Sequence, residues 1–214
     1  MSGPAWVAAL LGLALGAALG YLGVRLSARW LTGPAPRWLA WALVGATAVA
    51  GGLLGFFHLL TPYFWHQLLL LAVLLLAAFV DLQERIIPNE LIVFGLVAWL
   101  PAMLLFPYDG KSWLSALGGG AAAFLFFYLL TVLVPGGMGM GDVKLALVMG
   151  LYLGAGWVAM ALVLAFLLGG LVSGVLLATR RIGRRGHIPF GPFLAAGGLV
   201  TVLWGAQIWN WYAG

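Results

Sequence analysis

The chain alternates long apolar runs with short polar stretches. The runs lie near Pro4–Val24, Trp38–Phe57, Tyr63–Val80, Leu91–Phe106, Trp113–Val134, Asp142–Leu153, Trp157–Thr179 and Leu194–Trp211. A helix needs about 20 apolar residues to cross a bilayer's hydrocarbon core, and most of the runs approach that length. The pattern therefore predicts an all-α polytopic membrane protein with about eight transmembrane helices. The sixth run is short and meets Gly154-Ala155-Gly156, so it forms either an upright span that includes those glycines or a partial helix. His58–Pro62 and Pro107–Lys111 read as turns on one side of the membrane.

Charge orients this layout. Nine of the ten basic residues fall in four loops on the opposite side: Arg25, Arg29 and Arg37; Arg85; Lys144; and Arg180, Arg181, Arg184 and Arg185. By the positive-inside rule that side is cytoplasmic and both termini lie outside. No basic residue precedes the first run, whereas a signal peptide carries its charge ahead of the apolar region, so the run reads as a retained span. The chain is 64% hydrophobic and 7% charged, with a net charge of +5. A single integral-membrane domain, 1–214, fills it. The basic residues sit between spans rather than on a soluble face, which argues against nucleic-acid binding. With no cysteine, thiolate zinc sites and cysteine nucleophiles are excluded.

Within this apolar frame the acids stand out. Three of the five, Asp81, Glu84 and Glu90, lie in or beside one cytoplasmic loop. Asp142 follows a glycine-rich break, Gly136-Gly137-Met138-Gly139-Met140-Gly141, which is tolerated at membrane depth only inside protein or beside water. Ionisable groups there are functional candidates by default. Asp81, ending the third span, and Asp142, starting the sixth, fall at the same depth. Two carboxylates brought together share a proton, so one can act as base on a water while the other polarises a carbonyl. Structural roles are also open to them. Asp81 suits a helix end paired with Arg85, and Asp142 suits an N-cap.

Three stretches together resemble the bacterial type IV prepilin peptidases, polytopic aspartic proteases of the GxGD type. They are Asp81 with Arg85-Ile86-Ile87-Pro88-Asn89; Gly139-Met140-Gly141-Asp142-Val143-Lys144-Leu145; and Ile188-Pro189-Phe190-Gly191-Pro192-Phe193. Residues Gly16–Leu26 resemble a worn form of that family's first-span motif, with Ala17 and Gly20 at its Ser and Asn positions. The resemblance implies catalytic roles for Asp81 and Asp142, with no metal and no cofactor. It implies cleavage of the basic leader from a prepilin or pseudopilin at the face of the bacterial cytoplasmic membrane, in pilus assembly or protein secretion. Many members carry a cysteine-containing cytoplasmic domain between the first two spans, linked to N-methylation of the product. Here only Ser27–Arg37 stands there, so 1–37 reads as a degenerate span with a residual loop and 38–214 as the catalytic bundle. A peptidase without methyltransferase activity follows.

Other residues fall around the pair. Glu84 and Glu90 are placed to attract a basic leader, and Gly139 and Gly141 let a substrate strand approach the backbone closely. Lys144 either orients Asp142 or snorkels to the interface. Pro88 bends the chain before the fourth span, and Pro189 and Gly191 form either a wall of the site or a helix-entry turn. Membrane lipid is an expected partner of the arginines at 180–185. His58 and His66 belong to interfacial packing on the far face, and the tryptophans to interface anchoring. The alternatives are a small proton-coupled transporter using the two aspartates as a relay, which would be expected to place its acids near mid-membrane, and a non-catalytic assembly factor.

Overall fold

A computed structural model of the chain describes residues 3–105, 113–134, 138–181 and 188–214. The expected turn at Pro107–Lys111, Gly136 and Gly137, and Arg184, Arg185 and His187 lie outside the described residues. The described residues form eight helices in succession: α1 (Gly3–Ser27), α2 (Arg37–His58), α3 (Pro62–Glu84), α4 (Asn89–Leu105), α5 (Trp113–Leu133), α6 (Met140–Leu153), α7 (Ala155–Ala178) and α8 (Gly191–Ala213). Among the described residues there is no strand. Among the described residues six helices are long and apolar enough to cross a membrane; α4 has 17 residues and α6 has 14. The protein is a multi-pass, all-α membrane protein.

Local sequence sets the helix boundaries. Pro62 opens α3 at a position where its missing N–H costs nothing. Arg85 ends α3 in the left-handed region, φ 55°, with its N–H on the Asp81 carbonyl at 2.9 Å. Gly154, at φ +80°, separates α6 from α7 by one residue, so the short sixth run is a partial helix rather than an upright span. At 1.5 Å per residue α6 is about 21 Å long, against about 30 Å of hydrocarbon.

Burial divides the bundle into centre and periphery. α3 and α6 are the interior helices. α3 touches α1, α2, α4, α6 and α8, and α6 touches α3, α4, α5, α7 and α8. Outer faces of α1, α5 and α7 expose leucines such as Leu10, Leu114 and Leu167, as a lipid-facing surface requires. Helices in lipid associate through close packing of small residues. On α1, Gly12 and Gly16 lie against the backbones of Gly51 and Thr47 of α2. Gly119 of α5 meets Gly150 of α6, and Gly197 of α8 meets Ala161 and Ala165 of α7. Two side chains lock α4 to α6: Trp99 Nε1 donates to the Leu151 carbonyl at 2.9 Å, and Tyr152 Oη donates to the Gly95 carbonyl at 3.2 Å.

Two expectations need correction. His66 is fully buried beside the Tyr152 ring, with centroids 4.8 Å apart, so it is a core residue; His58 is half-buried against Tyr63. Trp99 is likewise a buried strut rather than an interface anchor. The α5–α6 contact carries a test. A Cβ on residue 150 would overlap the Gly119 carbonyl, which is backbone and cannot step aside. Gly150→Val should cost about 1–3 kcal/mol or more, read as a lower melting temperature in detergent, while Gly170→Val, with open space around it, should not.

Candidate active site

Both acids of the expected pair are buried at the same end of the bundle, Asp81 5% exposed and Asp142 8% exposed. Asp81 sits in the last turn of α3. Its Oδ2 accepts a 2.8 Å hydrogen bond from the backbone N–H of Gly191, 110 residues later. Gly191 is the first residue of α8, so the bond joins a carboxylate to the positive end of a helix. A Cβ on residue 191 would stand 2.8 Å from Asp81 Oδ2, which explains glycine there. The preceding Phe190 ring packs on Phe166 at 5.2 Å, and on Phe127 and Phe193 at 6.0 Å, holding the chain as it enters α8.

Asp142 is the third residue of α6, whose N-cap is Gly139 rather than Asp142 itself. The two residues satisfy each other reciprocally. The Asp142 N–H donates to the Gly139 carbonyl at 3.1 Å, and the Gly139 N–H donates to Asp142 Oδ2 at 3.3 Å. Asp142 Oδ1 is buried and accepts no hydrogen bond from any described residue. The turn after α3 packs on the first turn of α6 through Ile87 and Gly141, which brings the two acids to one end of the bundle. The site thus holds two buried carboxylates, one anchored by a helix N-terminus and the other keeping an open oxygen. Two such groups in one site hold a proton between them and can activate a water by general acid–base chemistry.

The other expected residues fall at varied distances from the pair. Gly141 lies against Ile87, whose Cβ would be 3.0 Å from a Cβ on residue 141. The turn from Arg85 to Pro88 therefore packs on the first turn of α6, and Pro88 is buried where α4 begins. Lys144 Nζ donates to Asn89 Oδ1 at 2.8 Å, bridging α6 to α4. Glu84 is held by Thr32, whose N–H and Oγ1 donate to Oε1 at 2.8 and 2.9 Å. Arg85 meets Asp81 through its backbone, and Glu90 is exposed at the start of α4. Pro189 is half-buried, two residues before Gly191. Asn89 and Thr32 were not among the expected site residues. Asn89 carried a usable signal, as a polar residue beside Pro88 on the acidic side; nothing in the sequence pairs Thr32 with Glu84. Among the described residues no cluster of His, Asp and Glu is arranged to hold a metal.

The family described as "Type IV leader peptidase family" matches residues 68–174, half of the chain, a stretch that includes Asp81 and Asp142. The chain is 35% identical over 142 residues to the "Prepilin leader peptidase/N-methyltransferase" of Bacillus subtilis, covering 66% of this chain and 56% of that protein. It is 34% identical over 154 residues to the Legionella pneumophila protein of the same name, covering 69% and 52%. For that of Pseudomonas aeruginosa it is 31% over 173 residues, covering 78% and 59%. The chain spans about half the length of the curated relatives it matches. No solved structure matches it. By the extent of the family match, the chain belongs to the type IV leader peptidase family.

Proposed function

We propose that the protein is an intramembrane aspartic endopeptidase that removes the leader from prepilin-type precursors at the cytoplasmic face of the bacterial plasma membrane. The observation that carries this is the pair Asp81 and Asp142, both buried at one end of the bundle and the only charged residues buried among those described. In the proposed reaction the pair holds one proton. The ionised carboxylate takes a proton from a water, whose oxygen attacks the scissile carbonyl carbon. The protonated carboxyl donates to the carbonyl oxygen as it becomes tetrahedral. Collapse of that intermediate breaks the C–N bond, and the amine leaves with a proton from the pair. Gly191 keeps Asp81 in place throughout, and Asp142 Oδ1 is the oxygen without a competing donor.

The transporter alternative finds no support. A relay through the membrane places acids near mid-depth, whereas Asp81 and Asp142 sit at the ends of their helices. Two intact, buried carboxylates also favour an enzyme over a non-catalytic assembly factor. The relatives' names include a methyltransferase, which by the family resemblance goes with an inserted cysteine-containing domain. Here nine residues join α1 to α2, and the chain has no cysteine. We assign it the peptidase activity alone.

Three outcomes test this. Co-expressed with a prepilin, Asp81→Asn and Asp142→Asn should each lower leader removal by about 10²–10⁴-fold at unchanged expression, followed by gel mobility; retained cleavage in either variant removes the dyad. Gly191→Ala, which crowds Asp81 Oδ2, should slow cleavage by about a hundredfold with little change in melting temperature. The mature N-terminus should emerge unmethylated, and a methyl group added by this chain alone, seen by mass spectrometry, would overturn the single-activity assignment.

A further inference from the structure

The loop between α1 and α2 lies outside residues 68–174, yet it reaches the end of the helix that carries Asp81. Thr32 grips Glu84 twice across 52 residues: its backbone N–H and its hydroxyl both donate to Oε1, at 2.8 and 2.9 Å. Two donors from one residue to one oxygen fix orientation as well as position. Glu84 is the last residue of α3, three after Asp81, and so adjoins it on the helix surface. A terminal turn is where a helix opens most easily, since its last carbonyls have no helical partners. Thr32 itself is anchored. Trp30, Leu31 and Ala35 pack against the core, and the N–H groups of Trp30 and Leu31 bond the Ser27 carbonyl at 2.8 and 3.2 Å.

We propose that Thr32 is a positioning residue for Asp81. Its clasp on Glu84 closes the last turn of α3 and thereby holds the Asp81 carboxylate against the Gly191 amide. This rests on the peptidase assignment and gives Glu84 a task other than recruiting a basic leader. It also gives the α1–α2 segment a part in the reaction.

Steady-state kinetics of the full-length purified chain on a prepilin separate the two tasks. Thr32→Val removes the hydroxyl but keeps the shape and the backbone N–H; Glu84→Ala removes the acceptor. A clasp predicts that each lowers kcat by about tenfold with KM unchanged. Thr32→Ser and Glu84→Gln, which retain a donor and an acceptor, should recover most of that rate. The double variant should be no slower than Glu84→Ala alone, because both changes break one contact. Additive losses in the double variant overturn the proposal. So does a raised KM at unchanged kcat in both Glu84 variants alongside a wild-type Thr32→Val, which would make Glu84 a leader receptor. Should Thr32→Val accumulate poorly, the Glu84→Ala and Glu84→Gln pair carries the same comparison. A wild-type chain that cleaves no precursor fails the peptidase assignment itself; an active wild-type chain with unaffected clasp variants fails only the clasp.

Discussion

A carboxylate buried at the end of an apolar bundle must be given hydrogen-bond donors, and among the described residues that need is met at Asp81 by the backbone amide of Gly191. Much of the architecture serves this contact. The amide is the first of α8, so the helix dipole favours the charge it faces. Residue 191 has no side chain because a Cβ would crowd the oxygen it binds. The approach of α8 is set along its length. Leu74 of α3 packs against Gly198, and Ala161 and Ala165 of α7 pack against Gly197. The rings of Phe127, Phe166 and Phe190 steer the chain into its first turn. Asp81 therefore depends on packing that extends well beyond its neighbours in sequence.

The second carboxylate depends on a helix whose length the bilayer does not govern. α6 is shorter than a span, but α3, α4, α5, α7 and α8 surround it, so protein rather than lipid meets its faces and one of its ends. Non-spanning backbone at membrane depth is tolerated under that condition. The end away from Asp142 is satisfied from neighbouring helices. Trp99 donates to the Leu151 carbonyl, and the Ala155 N–H at the start of α7 donates to Ser115 Oγ at 3.2 Å. Close approach of α5 through Gly119 and Gly150 completes the enclosure.

Much of this was legible in the sequence, for identifiable reasons. Helix number and order follow from apolar run length, because lipid leaves the backbone few alternatives. Asp81 and Asp142 stand out because charge in such runs is costly. Their shared depth follows from the alternation of spans and loops. What was not legible is pairing across long separations. The sequence marked Gly191 but not its amide as the donor to Asp81. It did not reveal that Lys144 turns to Asn89, nor that Glu84 is engaged by Thr32. Side-chain direction within a helical turn decides these contacts, and spacing alone does not encode it. His66 was assigned to the interface by its place near a span end, yet α3 is so enclosed that even its second turn is core.

The two carboxylates are unequal in a way that suits a shared proton. Asp81 receives a short bond from a rigid helix amide belonging to another part of the chain. Asp142 receives a longer one from its own capping glycine, and its second oxygen faces no donor among the described residues. One member is thus anchored from outside its own helix, and the other holds an oxygen in reserve. Such a pair accepts a proton on the free side without dismantling the network that places it. Gly139 engages Oδ2 and leaves Oδ1 as the atom that can take the proton while the cap of α6 stays intact.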